Sequence, residues 1–206
     1  MMKKKLWIFG DSFSMDYSLD RAPWCIDYIK FKGYDTKSYG HFLAEDMDMD
    51  LEIFAEGGSD NYTIFNKLCD NVDFIKSGDI VIIGWGPTTR FRLVNEDTGR
   101  WMFVNQANEG VYFNNTFKNS TINELLVNRM NILYEMEVKG WVKIINKAMN
   151  NNNIKVFYWS WIKMNANKFE RVCDETNNII TDGHWSENGH KQFSEYFLKN
   201  IINKLI

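Results

Sequence analysis

Residues able to carry out nucleophilic catalysis stand near both ends of this 206-residue sequence. Gly10-Asp11-Ser12 directly follows a short apolar run, and Asp182-Gly183-His184 precedes an amphipathic stretch at the end of the chain. A serine hydroxyl becomes a useful nucleophile when an imidazole accepts its proton, and a carboxylate fixes the tautomer of that imidazole. The three residue types therefore predict a catalytic triad, provided that the fold brings the two ends of the chain together.

Each of these residues also has a simpler structural interpretation. Ser12 alone could be the N-cap of a helix, His184 a solvated loop histidine and Asp182 a turn residue. Each of these interpretations is reasonable for one residue taken alone. The presence of all three residue types together favours catalysis, because a turn and a cap do not require a proton relay.

The elements that must position these residues are short apolar runs rich in β-branched and aromatic residues, which predict buried strands. Helical patterns lie between them, so the order of elements predicts an α/β fold with a parallel sheet covered on both faces. In such sheets ligands bind beyond the carboxyl ends of the strands, which is where both candidate segments stand. The predicted strands are Leu6–Phe9, Leu51–Ala55, Asp79–Gly84 and Lys155–Trp159, with a weaker fifth at Asn178–Thr181, and the predicted helices are Ser38–Met47, Asn61–Ile75, Ile122–Asn150 and Ser186–Ile206.

The two chemical segments resemble the motifs of the SGNH, or GDSL-type, hydrolase family. The family's first block matches Gly10-Asp11-Ser12 and its last block matches Asp182 to Gly189, where the acid stands two residues before the base rather than the usual three. The resemblance implies that Ser12 is the nucleophile, His184 the base and Asp182 the orienting acid. It also implies a three-layer α/β/α sandwich with a central parallel sheet of about five strands, of the flavodoxin-like type.

The same resemblance implies an oxyanion hole. Glu56-Gly57-Gly58 resembles the second block, so the backbone N–H groups of Gly58 and Ser12 are the expected donors. The family's third donor is an Asn after the third strand, and this sequence reads Gly84-Trp85-Gly86-Pro87-Thr88-Thr89-Arg90 there. Removing one such donor typically costs about 10²- to 10³-fold in turnover. The candidates for its replacement are Asn61 and then Thr88 or Thr89, and Arg90 is a candidate for binding an anionic substrate group.

Composition excludes several other classes of function. A net charge of −3 and a pI near 5.7 argue against a general nucleic-acid binder. The three cysteines match no metal-ligand spacing and favour a reducing compartment. No signal peptide, membrane span or phosphate-binding glycine loop is recognisable, so we expect a cytoplasmic protein that needs no metal or organic cofactor.

The sequence therefore predicts a single domain over residues 1–206, with loop insertions at 13–35 and 95–120, that acts as a serine esterase on a small-molecule or glycan ester. A small acyl group such as acetyl is the expected leaving acid, and a carbohydrate is one candidate alcohol, because the tryptophans at the predicted strand ends would suit stacking on a sugar. Two alternatives stay open: an O-acyltransferase, and a glycan-binding or structural module whose catalysis has decayed. The oligomeric state is not predicted.

Overall fold

Four of the described strands begin and end close to the predicted apolar runs, whereas two, Arg90–Asn95 and Arg100–Asn105, were not among the predicted strands. The computed structural model describes residues 3–19, 25–88, 90–95, 100–105, 120–161 and 168–204. Ile, Val and aromatic side chains pack well on the pleated surface of a sheet, which is why these runs adopt extended structure. The strands are β1 (Lys5–Gly10), β2 (Asp50–Ala55), β3 (Ile80–Gly84), β4 (Arg90–Asn95), β5 (Arg100–Asn105) and β6 (Lys155–Trp159).

Four of the described helices lie close to the predicted ranges, whereas two short ones, Ile26–Lys32 and Val172–Glu175, lie where no helix was predicted. Asp60 is the N-cap of one helix and accepts a hydrogen bond from the N–H of Thr63, whereas Ser186 caps another and accepts one from the N–H of Gly189. The helices are α1 (Ile26–Lys32), α2 (Tyr39–Asp46), α3 (Asn61–Asn71), α4 (Ser120–Asn151), α5 (Val172–Glu175) and α6 (Glu187–Phe197). A 3₁₀ turn, Val72–Phe74, follows α3, and a π-helical turn, Leu198–Ile202, follows α6.

Four strands form a central sheet in the order β2-β1-β3-β6, and every neighbouring pair is parallel. Successive side chains of a strand point to opposite faces of the sheet. Leu6 and Ile8 accordingly pack in the apolar cluster formed with α2 and α6, and Trp7 and Phe9 pack in the cluster formed with α3 and α4. The sheet is therefore the middle of three layers, with helices on both faces.

The prediction of about five strands is wrong: the described central sheet has four. The segment Asn178–Thr181 does not extend a strand, because Asn177 and Asn178 both have positive φ, 52° and 62°, which is incompatible with extended backbone. The N–H of Asn178 instead donates to the carbonyl oxygen of Cys173, so the segment closes the end of α5. Ile179, which made the segment resemble a strand, is 79% exposed.

Parts of both predicted loop insertions have regular structure. The insertion at 13–35 contains α1, and residues 20–24 of it lie outside the described residues. The insertion at 95–120 contains β5, which pairs antiparallel with β4 as a hairpin outside the central sheet. Its residues 96–99 and 106–119 lie outside the described residues. The organisation of residues 1–206 as one domain stays a prediction.

The strand order places the segment of Ser12 at a crevice at one edge of the sheet. After β1 the chain adds β2 on one side and β3 on the other, so the order reverses between β1 and β3. Crevices for ligands form at such a reversal, outside the carboxyl ends of the strands. Asp11 and Ser12 follow β1 directly and therefore lie at this crevice.

Among the described helices, none combines the length and apolar character that crossing a bilayer requires.

Candidate active site

Ser12 lies in a tight turn that begins where β1 ends. The N–H of Ser14 donates to the carbonyl oxygen of Asp11 at 2.9 Å, and the N–H of Phe13 donates to the Asp11 carboxylate at 3.1 Å. The turn requires glycine at position 10, because a Cβ atom there would lie 2.2 Å from the Ser14 Oγ atom. Ser12 is 3% exposed, so the turn holds a largely buried hydroxyl at the edge of the sheet.

Asp182 and His184 are joined twice through one carboxylate oxygen. The Oδ1 atom of Asp182 accepts the backbone N–H of His184 at 2.9 Å and lies 2.6 Å from the Nδ1 atom of its ring. An aspartate that accepts the N–H two residues further on forms an Asx turn, which brings the following side chain back over the carboxylate. A spacing of two residues therefore allows the Asp182 carboxylate to contact the His184 ring.

Segment 171–173 holds this loop in place from the other side. The N–H of Val172 donates to the carbonyl oxygen of His184 at 2.9 Å, and the N–H of Cys173 donates to that of Asp182 at 3.1 Å. Trp185, directly after the histidine, is fully buried and forms a β-bridge with Arg171. These contacts hold the backbone on both sides of the His184 ring.

The structure brings the two ends of the chain into contact at this point. The Oγ atom of Ser12 lies 2.9 Å from the Nε2 atom of His184, although the residues are 172 positions apart in the chain. This distance is within the range over which a base takes a proton from a hydroxyl. Ser12, His184 and Asp182 thus form one continuous series of hydrogen-bonding atoms.

The electrostatics of the acid suit this arrangement. Partial burial acts to raise the pKa of Asp182, but the hydrogen bonds from His184 and the charge of that ring when protonated outweigh it and hold the pKa below its ordinary value. The acid is therefore a carboxylate at neutral pH. A carboxylate at Nδ1 fixes the ring N–H on that nitrogen and leaves Nε2 free to accept a proton from Ser12.

Aromatic rings form one wall of the site. The ring of Phe13 packs 5.0 Å from the His184 ring and 5.1 Å from the indole of Trp161, measured between centroids. Trp161 is half-buried and follows β6, so it reaches the site from the carboxyl end of a second strand. An indole in this position offers an apolar surface next to the reactive atoms.

The residues expected to form the oxyanion hole lie on the loop after β2. Gly58 has φ +76°, a left-handed conformation that glycine adopts without strain. Within the described part of the chain, no hydrogen bond is donated by the N–H of Ser12 or of Gly58. Both donors are therefore available, as the prediction for them requires.

Asn61 is fully buried at the start of α3. Its side-chain Nδ2 donates to the carbonyl oxygen of Gly86 at 3.2 Å, which joins the loop after β2 to the loop after β3. The opposite atom of the amide, Oδ1, has no hydrogen-bond partner among the described residues. Asn61 thus lies at the carboxyl edge of the sheet, with one amide N–H in use and one remaining.

The loop after β3 places the remaining candidates differently. Thr88 is half-buried, and among the described residues no hydrogen bond joins it to Ser12 or His184. Thr89 lies outside the described residues. Arg90 begins β4, and its Nη1 atom donates to the Asp11 carboxylate at 2.9 Å, so its charge faces the acid beside Ser12.

Sequence reasoning missed two contacts of this site. The Nε1 atom of Trp161 donates to Asp11 at 3.1 Å, and the thiol of Cys25 lies 3.7 Å from the Oδ2 atom of Asp182. Both contacts join loops that are far apart in the chain, so no spacing or periodicity signals them.

Among the described residues, no group of three or more His, Cys, Asp or Glu side chains could hold a metal ion.

Comparison with known proteins adds one finding, which concerns the fold. No model of a known protein family matches the sequence, and no curated protein matches it. A solved structure of a carbohydrate esterase, whose active site is described as displaying divergent catalytic and non-catalytic binding functions, is similar over 100% of this chain and 66% of its own, with 15% identity and a TM-score of 0.50. At this identity the similarity shows an esterase-like fold.

Proposed function

We propose that this chain is a serine esterase of the SGNH type in which Ser12 is the nucleophile, His184 the base and Asp182 the acid that orients the base. One observation carries the proposal: the Ser12 Oγ atom lies 2.9 Å from His184 Nε2, while His184 Nδ1 lies 2.6 Å from Asp182 Oδ1. A structural serine, histidine and aspartate have no physical reason to align in this order. Activation of a hydroxyl requires this order.

In the first half of the reaction, the Oγ atom of Ser12 attacks the carbonyl carbon of the ester and its proton passes to His184 Nε2. The carboxylate of Asp182 stabilises the imidazolium that forms. Collapse of the tetrahedral intermediate breaks the bond to the alcohol oxygen, which takes the proton from His184 and leaves. The acyl group then remains on Ser12 as an ester.

In the second half, water attacks the acyl carbon and gives a proton to His184 Nε2. The second tetrahedral intermediate collapses, the proton returns to Ser12 Oγ, and the carboxylic acid is released. No other reactant is needed, because water supplies both the new acyl oxygen and the proton. Acyl transfer would differ only in that an acceptor alcohol replaces this water.

The oxyanion of both intermediates needs donors that are already in position. We assign the backbone N–H groups of Ser12 and Gly58 to this role, since both are free of other partners in the described part of the chain. Asn61 is our first candidate for the third donor, because its amide is held by Gly86 O through one N–H and keeps a second. Thr88 is the second candidate.

The substrate that we propose is a small acyl ester, with a carbohydrate as the alcohol. The half-buried indole of Trp161 lies beside Phe13, which in turn contacts the His184 ring, so a sugar bound at the site would meet an aromatic wall. The solved structure with a similar fold is a carbohydrate esterase, which agrees with this choice of alcohol.

The proposal is tested by labelling with a fluorophosphonate and by hydrolysis of p-nitrophenyl acetate and acetylated sugars. We expect one adduct, on Ser12, and loss of both reactions in Ser12→Ala by about 10⁴-fold or more. Ser77→Ala, which alters an exposed serine away from the site, is the control and should react like the wild type. Folded wild type that gives no adduct and cleaves no ester would refute the esterase, and binding of acetylated sugars by such a protein would favour the glycan-binding module.

A further inference from the structure

A buried ion pair lies directly beside the candidate nucleophile. Asp11, the residue before Ser12, is 1% exposed, and the side chain of Arg90, which faces it, is 12% exposed. Their closest atoms, Asp11 Oδ2 and Arg90 Nη1, are 2.9 Å apart. Removing two charges from water is costly, so a buried pair calls for an explanation beyond stability.

The Asp11 carboxylate connects three segments at the carboxyl edge of the sheet. Its Oδ1 atom accepts the N–H of Phe13 and so shapes the turn after β1 that carries Ser12. Its Oδ2 atom accepts the Nη1 of Arg90, at the start of β4, and the Nε1 of Trp161, at 3.1 Å, from the loop after β6. A single carboxylate thus sets the relative positions of the serine turn and of the aromatic wall.

Arg90 also contacts Trp161, which donates to the same carboxylate. Its guanidinium carbon lies 5.8 Å from the centroid of the Trp161 ring, within the range of a cation–π contact. Because Asp11 neutralises its charge and little of the side chain meets solvent, Arg90 is poorly suited to bind an anionic substrate group. Its contacts point instead to an action exerted through Asp11.

We propose that Arg90 is a positioning residue for the esterase reaction: by pairing with Asp11 it holds the turn of Ser12 and the Trp161 indole in the geometry that the reaction requires. This inference rests on the proposed function. Without Arg90 the Asp11 carboxylate would lose the one charged donor that it has among the described residues, and with it the contact to the start of β4. A displacement of about 1 Å in reacting atoms costs on the order of 10²-fold in rate.

The test compares variants at temperatures below their unfolding midpoints, by the rate of fluorophosphonate labelling of Ser12 and by kcat and KM for p-nitrophenyl acetate. Arg90→Met removes the cation, Arg90→Lys keeps it, and the double variant Asp11→Asn/Arg90→Met removes the pair without leaving a buried charge. Lys139→Met is the control, because Lys139 pairs with Glu135 at 3.0 Å on the exposed surface of α4.

We expect labelling and kcat of Arg90→Met to fall about 10- to 100-fold with KM nearly unchanged, since Arg90 does not touch the substrate. Arg90→Lys should recover part of the loss, and Lys139→Met should match the wild type. If Arg90→Met does not fold, the double variant is compared with the wild type instead, and its labelling rate and kcat should fall by the same factor. Folded Arg90→Met or double variant that labels within about twofold of an active wild type would overturn the inference, whereas a wild type without labelling or turnover would overturn the proposed function itself.

Discussion

The thiol of Cys25 lies 3.7 Å from the Oδ2 atom of Asp182, the carboxylate oxygen that does not contact His184. Cys25 is the residue before α1 and is buried, and burial raises the pKa of its thiol well above the ordinary value. It is therefore a neutral S–H donor. Helix α1, which lies within a predicted loop insertion, thus supports the acid of the candidate triad.

Cys25→Ala should lower kcat about threefold to tenfold, because a weak donor contributes about 1 kcal/mol to holding the carboxylate. Cys25→Ser keeps a donor of similar size and should retain more activity. The measurements are kcat and KM for p-nitrophenyl acetate. Cys69→Ala, at an exposed thiol, is the control and should be unchanged. Equal rates in Cys25→Ala and wild type would show that the contact has no part in positioning Asp182.

Gly58 and Gly33 offer a matched pair of substitutions. Their φ angles are 76° and 77°, and a Cβ atom at either would meet nothing within 4 Å. Alanine at each should therefore cost a similar free energy of unfolding, about 1–2 kcal/mol, from the left-handed backbone alone. Gly58→Ala should in addition lose activity, because strain at position 58 displaces a proposed oxyanion donor, whereas Gly33→Ala at the end of α1 should keep it.

Denaturant unfolding and kcat separate these two effects. Activity lost equally in both variants would trace to stability and would contradict the role of Gly58.

Asp182→Asn should reduce kcat by about 10³- to 10⁴-fold with little change in KM. The amide can still accept the backbone N–H of His184, but it does not stabilise an imidazolium and can favour the wrong ring tautomer. Steady-state kinetics and labelling of Ser12 measure the effect. Asp48→Asn, at an exposed aspartate paired with Lys3, is the control. Retention of full activity in Asp182→Asn would remove Asp182 from the triad.

His190 should make the protein less stable in acid. Its ring is fully buried beside Tyr17, Tyr39 and Trp185, and neither ring nitrogen has a hydrogen-bond partner among the described residues. Burial lowers its pKa from 6.5 to about 3. The charge of Asp16 acts to raise this pKa, and the charge of His184 lowers it further. Between these values the unfolded chain binds the proton and the folded chain does not, so stability is full above pH 6.5 and falls as the pH drops toward 3.

For one such proton the loss between pH 7 and pH 5 is about 2 kcal/mol. The free energy of unfolding in denaturant at the two pH values measures it, with His190→Phe as the variant in which this part of the slope should disappear. An unchanged pH dependence in a folded His190→Phe would assign the acid sensitivity to other groups.

Local sequence patterns were enough to predict most elements of this fold. The runs at Leu6–Phe9 and Lys155–Trp159 predicted β1 and β6, and Ser186 was placed at the start of the last helix, because strand and cap preferences depend on residues close together in the chain. The same patterns failed at Asn178–Thr181, where two asparagines in the left-handed region end α5. Composition alone does not distinguish that turn from a short strand.

The sequence by itself determined that Ser12 directly follows a buried strand and that Asp182 and His184 stand two residues apart before the last helix, so that all three were available for one site. Only the tertiary structure decided that the hydroxyl and the imidazole meet across 172 residues, that Arg90 faces Asp11 rather than open solvent, and that Cys25 lies against the acid. The physical reason is that these contacts join loops from different strands, and their distances follow from the order and register of the whole sheet. No spacing within any one segment encodes them.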